Sequence, residues 1–424
     1  MLCGVGSIFC AYPATVTSAS KSPSRIELTL DRPADGGAAV GRDASGRVVF
    51  CQGGLAGETV VVEVHTAKKS FARGSVVEVL DPSPQRRPAQ CPTHSAGCGG
   101  CDLAHVEPGE QLRIKRHVVR DSLIRIARIE EGQVEAALLA GDSAVHTPIP
   151  SRYRTTVRMA IDGDRVGYRK RSSHDVVHPE SCLVVHQDLE ALIGSVRFGQ
   201  AAGSEATIRV SAHSNEAVIV VDGDPLAVEV GASGVRVTGH RAAPAVKMTE
   251  SAGNRLWQVS AASFFQAGPE VASALVDAVA FAAGDLTYRR LVDAFSGVGL
   301  FAGTVGAEAR SVVAVEQSTS STSDARINLA DQDAVVITSG VEEWKATPAD
   351  TIIADPARSG LGADAVASLM GCGADRFVLV SCDTGSLGRD VQLLEAEGYA
   401  LESVQIVDAF HDTSHAETVV SMYR

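Results

Sequence analysis

Four consecutive apolar β-formers, Phe377 to Val380, stand near the C-terminal end of the sequence. A run of this kind predicts a strand that is buried on both faces, as in a parallel sheet covered by helices. The run ends at Ser381 and Cys382, and turn-prone residues follow. A cysteine at the carboxyl end of such a strand opens into the crevice where α/β sheets bind ligands. Taken alone, Cys382 is more often a buried structural residue.

The segment from Phe264 onwards repeats this pattern of buried strands between helical stretches. The strands that it predicts are Leu291–Ala294, Ser311–Glu316 and Thr351–Ala354. Their order predicts a doubly wound α/β domain. A glycine turn with Gly297 and Gly299 follows the first strand, and Glu316 ends the second. A carboxylate in that position can bind both hydroxyls of a ribose, and the missing third glycine favours S-adenosylmethionine over NAD.

The chain has 424 residues, which is too long for one ordinary hydrophobic core and predicts two or three domains. We expect a tail over residues 1–21, a barrel of the oligonucleotide-binding type over 22–81, a β-rich central domain over 82–255 and the α/β domain over 256–424. Short strands broken by glycine turns indicate the barrel, and a proline-rich linker follows it. The first 19 residues lack the basic region of a signal peptide.

The formal net charge of −13 argues against a chain that coats nucleic acid through bulk positive charge. Basic residues are nevertheless concentrated in the first half, within the ranges 68–87, 113–128 and 152–171. This asymmetry predicts a polyanion partner on one side of the molecule. A hairpin predicted over residues 152–169 adds tyrosines, which suit RNA binding through phosphates and stacked bases. No apolar run reaches the length needed to cross a bilayer, so we expect no membrane partner.

Three cysteines lie within eleven residues, Cys91, Cys98 and Cys101, and a fourth, Cys182, stands far downstream. Three close cysteines with one remote are common for a 4Fe–4S cluster, whereas a zinc site usually pairs two close-spaced couples. We expect these four residues to hold a structural 4Fe–4S cluster in a reducing compartment, the cytoplasm. A zinc site is the alternative.

Several motifs resemble known families. Residues 35–42, 54–58 and 68–74 are similar to the TRAM domain that is attached to RNA-modifying enzymes. The motifs of the α/β half occur in the order seen in the uracil-carbon-5 RNA methyltransferases. Because the chain also has the TRAM-like start and the cysteine loop, it most resembles the branch of that family that acts on 23S ribosomal RNA. Those motifs are Phe264-Phe265-Gln266, Asp293-x-Phe295-x-Gly297-x-Gly299, Asp355-Pro356-Ala357-Arg358-x-Gly360, Val380-Ser381-Cys382 and His415-Ala416-Glu417.

The resemblance implies a Rossmann-like class I methyltransferase domain that methylates carbon 5 of a uridine in RNA, in 23S rRNA above all. It implies that Cys382 is the nucleophile that adds to carbon 6 of uracil and that Glu417 is the base that removes the carbon-5 proton. The contacts to S-adenosylmethionine that it implies are Gln266, Phe295, Gly297, Gly299, Glu316 and Asp355. We expect a monomer with RNA as its partner.

Other interpretations stay open. One is methylation of a tRNA uridine by the same mechanism, and another is a non-catalytic Fe–S protein that binds RNA. A redox or radical Fe–S enzyme is a third, but the last two make poor sense of Cys382 together with Glu417. Asp355 can alternatively be a helix N-cap, and Glu417 a surface carboxylate. The sequence departs from the family pattern at Asp383-Thr384, where Asn-Pro is frequent, at Leu300, where asparagine is frequent, and at Gly340.

Overall fold

The computed structural model describes residues 24–142 and 151–424. The predicted tail over residues 1–21 lies outside the described residues. The N-terminal part is a closed barrel with the strand order β1-β2-β3-β5-β4. Its strands are β1 (Ser24–Ala34), β2 (Ala38–Arg42), β3 (Val48–Gln52), β4 (Thr59–Ala67) and β5 (Phe71–Asp81). The predicted barrel is confirmed.

Alternating side chains of the barrel strands point inward and form its core, as Leu28 and Leu30 of β1 do with Val60 and Val62 of β4. An ion pair joins the barrel to the segment that follows it, because Arg86 donates to both carboxylate oxygens of the buried Glu58, at 2.6 and 2.7 Å. This ion pair therefore fixes the barrel to the segment that follows it.

The central part begins with the cysteine loop and continues as a β-rich region. Its elements are α1 (Pro92–Ser95), α2 (Pro108–Arg125), α3 (Glu131–Asp142), β6 (Thr156–Asp162), β7 (Arg165–Arg169), β8 (Val176–Val177), α4 (Gln187–Ser195), β9 (Val196–Phe198), β10 (Glu205–Val210), β11 (Ala217–Val221), β12 (Val228–Val230), β13 (Val235–Gly239), β14 (Lys247–Ala252) and β15 (Arg255–Ser260). A six-stranded sheet has the order β13-β11-β10-β6-β7-β8. The predicted basic hairpin is present, since β6 pairs antiparallel with β7.

The C-terminal part is the predicted doubly wound α/β domain. Its elements are α5 (Pro269–Ala283), β16 (Arg290–Ala294), α6 (Leu300–Gly303), β17 (Ser311–Glu316), α7 (Thr319–Asn328), β18 (Ala334–Thr338), β19 (Thr351–Ala354), α8 (Gly362–Met370), β20 (Arg376–Ser381), α9 (Thr384–Ala396), β21 (Ala400–Val407) and β22 (Glu417–Tyr423). The seven-stranded sheet has the order β18-β17-β16-β19-β20-β22-β21. Strands β16 to β20 run parallel, and β22 is antiparallel to both of its neighbours.

Both faces of this sheet are buried, as the apolar run at Phe377 predicts. Ile352 and Leu379 pack into the core on one face, while Ile353 and Val378, their neighbours in the chain, pack into the core on the other. After β17 and β18 on one side of β16, the chain crosses to β19 on the other side, so the order of the strands reverses at β16. Such a reversal opens a crevice at the carboxyl ends of the strands. None of the helices in the described ranges is both long enough and apolar enough to cross a membrane.

Candidate active site

Cys382 and Glu417 are neighbours at the carboxyl edge of the large sheet. The antiparallel register of β20 and β22 pairs Ser381 with Thr418. Cys382 directly follows the first of these residues and Glu417 directly precedes the second. Residues opposite each other in an antiparallel pair project to the same face of a sheet, so the thiol and the carboxyl group lie side by side. The structure brings together the two residues to which the sequence motifs give chemical roles.

The surroundings of Cys382 favour the neutral thiol. Burial, together with the carboxyl groups of Glu417 and Asp355, raises the pKa of Cys382 to about 11, and the guanidinium of Arg358 acts in the opposite direction. Helix α9 begins two residues later, with Asp383 as its N-cap accepting from the N–H of Ser386 at 2.8 Å. A nearby positive charge is what lowers the pKa of a cysteine, so an added cation at this point would favour the reactive thiolate.

Glu417 is a buried carboxyl group at the start of β22. It is 6% exposed, which excludes the alternative of a surface carboxylate. Burial raises its pKa to about 8, the carboxylate of Asp355 adds to that effect, and Arg358 opposes it. A carboxyl group with a pKa close to neutrality can accept a proton during a reaction and release it again afterwards.

A cavity of about 570 Å³ lies at the carboxyl edge of the sheet, and we call it the edge cavity. This volume is in the range of small-molecule sites. Its lining includes residues that the sequence motifs mark for the cofactor: Gln266, Phe295, Gly297, Glu316 and Asp355. Gly299 does not line the edge cavity. It shapes the turn instead, with a φ of 91°, and a Cβ there would meet the side chain of Leu329 at 3.0 Å.

The carboxylate of Glu316 is held in place by the backbone. One oxygen accepts from the N–H of Gly297 at 3.1 Å, and the other accepts from the N–H of Ser318 at 2.7 Å. Each carboxylate oxygen has a further lone pair, and the residue lines the edge cavity. Glu316 is thus an oriented acceptor at the end of β17, the position from which a ribose can be bound.

Two further carboxyl groups lie at the ends of β16 and β19. Asp355 follows β19 and is not a helix N-cap, since α8 starts only at Gly362 with Leu361 as the capping residue. Burial raises its pKa to about 7, and the amide of Gln266 lies 3.5 Å from one of its oxygens. Asp293 is fully buried in β16, and burial raises its pKa to about 8. Of these two groups, Asp355 lines the edge cavity and raises the pKa of Cys382.

A second cavity of about 560 Å³ lies between the large sheet and the central part, and we call it the cysteine cavity. The four cysteines that the sequence marks as ligands line it together: Cys91, Cys98, Cys101 and Cys182. The cysteine loop is attached to the basic hairpin, since the N–H of Gly99 donates to the carbonyl of Arg169 at 3.3 Å. The backbone N–H of Cys182 donates to Glu190 at 2.7 Å.

The four thiols are soft donors that line the same cavity. Burial raises the pKa of Cys98, Cys101 and Cys182, and the other cysteines of the set raise each of the three further. Thiols that affect one another in this way face a common space, and thiolates are the ligands that iron–sulfur clusters use. Within residues 24–142 and 151–424, no three His, Cys, Asp or Glu side chains are grouped closely enough to hold one metal ion.

The two cavities meet in a wall that we call the shared wall, because its residues line both. These residues are Phe264, Phe265, Gln266, Arg358, Cys382 and Glu417. Arg358 belongs to a motif that the sequence analysis quoted without giving this residue a role. Arg209, which also lines the cysteine cavity, was missed altogether. It is 5% exposed within β10, and a single arginine in an apolar strand gives no signal in the sequence.

Comparison with known proteins is consistent with this geometry. Residues 21–77 match the TRAM domain family. An uncharacterized RNA methyltransferase of Streptomyces coelicolor is 32% identical to the chain, with 93% of this chain and 91% of the relative aligned. The 23S rRNA (uracil(1939)-C(5))-methyltransferase RlmD of Shewanella halifaxensis is 27% identical, over 96% of this chain and 98% of the relative.

A solved structure has the same fold. The tRNA (uracil-54, C5)-methyltransferase of Pyrococcus abyssi, in complex with S-adenosyl-L-homocysteine, superimposes with a TM-score of 0.69 at 20% sequence identity, covering 93% of this chain and 99% of that one. At this identity the likeness concerns the fold, a class I methyltransferase domain joined to an N-terminal barrel. Because the match to the Streptomyces protein covers nearly the full length of both chains, the chain belongs to the family of RNA methyltransferases, which also contains the uracil-carbon-5 enzymes.

Proposed function

We propose that this protein transfers a methyl group from S-adenosylmethionine to carbon 5 of a uridine in RNA. The observation that carries the proposal is the position of Cys382 and Glu417 in the shared wall. A nucleoside cofactor in the edge cavity and a target base in the cysteine cavity would meet at these two side chains. A thiol next to a carboxyl group of raised pKa is the pair that methylation of carbon 5 requires.

Carbon 5 of uracil is too weakly nucleophilic to accept a methyl group unaided. In the proposed reaction the thiol of Cys382 first loses its proton to solvent, and the resulting thiolate adds to carbon 6. The electron pair of the carbon 5–carbon 6 double bond then moves to carbon 5, which becomes electron-rich. The cofactor supplies the methyl group, which carbon 5 takes. Glu417 then removes the proton from carbon 5, the double bond re-forms and the bond between Cys382 and carbon 6 breaks.

The electrostatics of the site are compatible with this order of events. A pKa of about 11 keeps Cys382 protonated in the free protein. The positive charge of a sulfonium in the edge cavity, together with Arg358, favours the thiolate. A pKa of about 8 for Glu417 suits a base that must hold a proton briefly and lose it to solvent between turnovers. The free protein therefore has an unreactive cysteine, and a bound cation would activate it.

The proposed cofactor residues act through orientation. The backbone-held carboxylate of Glu316 would accept from ribose hydroxyls, and Phe295, whose φ of 61° lies in the left-handed region, would contact the adenosine. Gln266 and Asp355 lie on the side of the edge cavity that adjoins Cys382. Gly297 lets the backbone approach the ligand closely. Gly299 would contribute through the shape of the turn.

The cysteine cavity has the composition of an RNA site. Arg154 lies over the rings of Tyr153 and Phe410, at 5.8 and 5.7 Å from their centroids. In the ranges that the structure describes, neither Arg154 nor Arg358 has a carboxylate within 4.0 Å. Positive charge next to aromatic rings binds phosphates and unstacked bases, and a base that enters this cavity must leave its stack. A single-stranded uridine is therefore the favoured substrate.

The barrel offers a second basic surface, which we call the barrel patch. It consists of Phe50, Phe71, Lys68 and Arg73. The guanidinium of Arg73 lies 4.9 Å from the centroid of Phe50, and the two aromatic rings meet edge to face at 6.2 Å. Both rings are partly exposed, and both cations are exposed. We propose that the barrel patch holds RNA outside the active site.

We propose that Cys91, Cys98, Cys101 and Cys182 hold a 4Fe–4S cluster, and that the domain limits are those expected from the sequence. The donor set supports the cluster, because four thiols line one cavity with no carboxylate or imidazole needed to complete it. When bound, such a cluster would crosslink the loop at 91–101 to Cys182, in the segment between β8 and α4. Its role here would be to fix the wall of the RNA site.

We propose 23S rRNA as the RNA. The Shewanella relative, which aligns over nearly its full length, is a 23S rRNA methyltransferase. Mapping of 5-methyluridine in total rRNA and tRNA, from cells with and without the protein, identifies the substrate. Loss of one 5-methyluridine from 23S rRNA is the expected result. Loss confined to tRNA contradicts this part of the proposal.

The mechanism is tested with variants of the two residues. Cys382→Ala should abolish methyl transfer and leave RNA and cofactor binding nearly intact. Glu417→Gln should permit attack and methylation but prevent proton removal, so a methylated RNA–protein adduct accumulates as a denaturant-resistant band. The double variant should form no adduct. Cys372→Ala, which changes a buried cysteine far from the site, is the control and should keep full activity. Full activity of Cys382→Ala or of Glu417→Gln would refute the mechanism.

A further inference from the structure

The segment 408–416, which links β21 to Glu417, is held by the central part of the chain. Lys115 of α2 is completely buried and pairs with Asp408, and it also donates to the carbonyl of Phe410 at 2.9 Å. Such a pair is costly to break, because removal of one partner leaves the other charge buried. The segment that ends at the base is therefore fixed from outside the large sheet.

Asp412 makes the next set of contacts. Its carboxylate accepts from Arg87 at 2.9 Å and from the side-chain amide of Gln111 at 2.8 Å. The oxygen of that amide accepts in return from the backbone N–H of Asp412 at 2.9 Å. The carbonyl of Asp412 accepts from the N–H of Leu103 at 2.9 Å. A φ of 62° puts Asp412 in the left-handed region, a conformation that these contacts hold in place.

The last contact before the base involves the cysteine loop. Asp102 directly follows Cys101, and its two carboxylate oxygens accept from the N–H and from the hydroxyl of Ser414, at 2.8 and 2.6 Å. Ser414 stands three residues before Glu417. Hydrogen bonds to an ionised acceptor are stronger than neutral ones, and two of them on one serine fix its orientation.

The carboxylate of Asp102 also packs against the barrel, at Gly37. Gly37 has a φ of +71°, and a Cβ at this position would come within 2.3 Å of the Asp102 carboxylate. No side chain fits between the barrel and Asp102. The carboxylate thus lies where the barrel, the cysteine loop and the segment 408–416 meet, and it has little freedom to move.

On these observations we propose that Asp102 is a positioning residue for the catalytic base. It fixes Ser414, which fixes the start of β22 and so the place of the Glu417 carboxyl group against the target base. The inference rests on the proposed function, because it assumes that Glu417 removes the carbon-5 proton. Asp102 touches neither substrate nor cofactor. Its loss should slow proton removal selectively and leave attack by Cys382 and methyl transfer unchanged.

The test separates the two halves of the reaction. RNA with tritium at carbon 5 of uridine reports proton removal by release of the label to water, and a labelled methyl group reports methyl transfer. With Asp102→Ala, release of tritium should slow by on the order of 10-fold to 100-fold, the cost of a misplacement of about 1 Å. Methyl label should accumulate in a denaturant-resistant adduct. The KM values for RNA and for S-adenosylmethionine should stay within about twofold of the wild type, as expected for a residue that touches neither.

The chain offers a matched control and a milder variant. Asp222 accepts from the N–H and the hydroxyl of Ser204, at 2.8 and 2.7 Å, which is the same arrangement away from the site. Asp222→Ala should leave the ratio of adduct to released tritium unchanged. Ser414→Ala keeps the backbone contact to Asp102 and leaves the cysteine loop untouched, so it should shift the ratio in the same direction by a smaller factor.

Three outcomes overturn the inference. The first is an unchanged ratio in both Asp102→Ala and Ser414→Ala while Glu417→Gln accumulates adduct, which leaves the proposed function standing. The second is an equal shift in Asp222→Ala, which makes the effect one of general stability. The third is the absence of adduct in Glu417→Gln, which removes the proposed function and this inference together.

Discussion

Replacement of Glu417 by Gln should stabilise the C-terminal α/β domain at alkaline pH, although it stops the reaction. Burial raises the pKa of this carboxyl group from 4.5 to about 8 in the folded protein. Between these pH values the unfolded chain loses the proton and the folded protein keeps it, so the stability of the wild type falls as the pH rises. Above about 8 both states are ionised and the loss is complete.

The magnitude follows from the shift. A difference of about 3.5 pKa units at about 1.4 kcal/mol per unit gives about 5 kcal/mol. This is an upper limit, because relaxation and water entry reduce the cost of a buried charge. Glutamine has nearly the same shape and no charge to desolvate. The advantage of Glu417→Gln over the wild type should thus be small at pH 5 and should grow to its full value by pH 9.

Urea unfolding followed by tryptophan fluorescence measures this difference in the relevant domain. The chain has two tryptophans, Trp257 and Trp344, and both are buried in the C-terminal half. Midpoints of the wild type and the variant should nearly coincide at pH 5 and separate at pH 7 and 9 with an unchanged slope. Glu397→Gln, at an exposed position, should follow the wild type at each pH. A separation that does not depend on pH would refute the reasoning.

Two further predictions concern the cluster and the barrel patch. Anaerobically purified protein should contain about four irons per chain. Cys101→Ser should lower that number and reduce the stability of the central part, because a cluster site folds with its metal. Stoichiometric zinc without iron would contradict the proposal. Lys68→Ala combined with Arg73→Ala should weaken RNA binding and reduce the slope of log K against log salt by up to about 2, with cofactor binding unchanged. Arg47→Ala, which changes an arginine already paired with Asp43 at 2.8 Å, should leave that slope unaltered.

The strands of the α/β domain could be predicted because each is a short run of apolar residues in the sequence. Residues 312–315 of β17 and 352–354 of β19 are continuous apolar runs, and such runs form strands where helices cover both faces of a sheet. An acidic residue or a glycine turn follows each run and indicates the crevice at the carboxyl ends of the strands. These features are local, so the sequence displays them directly.

The contacts that shape the site are not local, and the sequence does not display them. Asp102 and Ser414 are 312 residues apart, and neither belongs to a motif with a known ligand. The adjacency of Cys382 and Glu417 depends on β22 inserting between β20 and β21, an order that apolar periodicity leaves open. The sequence analysis paired these two residues only through the family resemblance. Arg209 was missed for a similar reason, since its partners Thr156 and Ser263 come from other strands and loops.

The shared wall also determines where charge resides during a turnover. Before the proposed reaction, the carboxylate of Glu417 faces the positive charge of the methyl donor across this wall. Afterwards Glu417 carries the proton from carbon 5, and the spent donor is neutral. The enclosed space therefore has the same net charge at the start and at the end, although one methyl group and one proton have changed places. Because the raised pKa of Glu417 retains that proton until a new cation arrives, binding of fresh cofactor and release of the proton to solvent are thermodynamically linked.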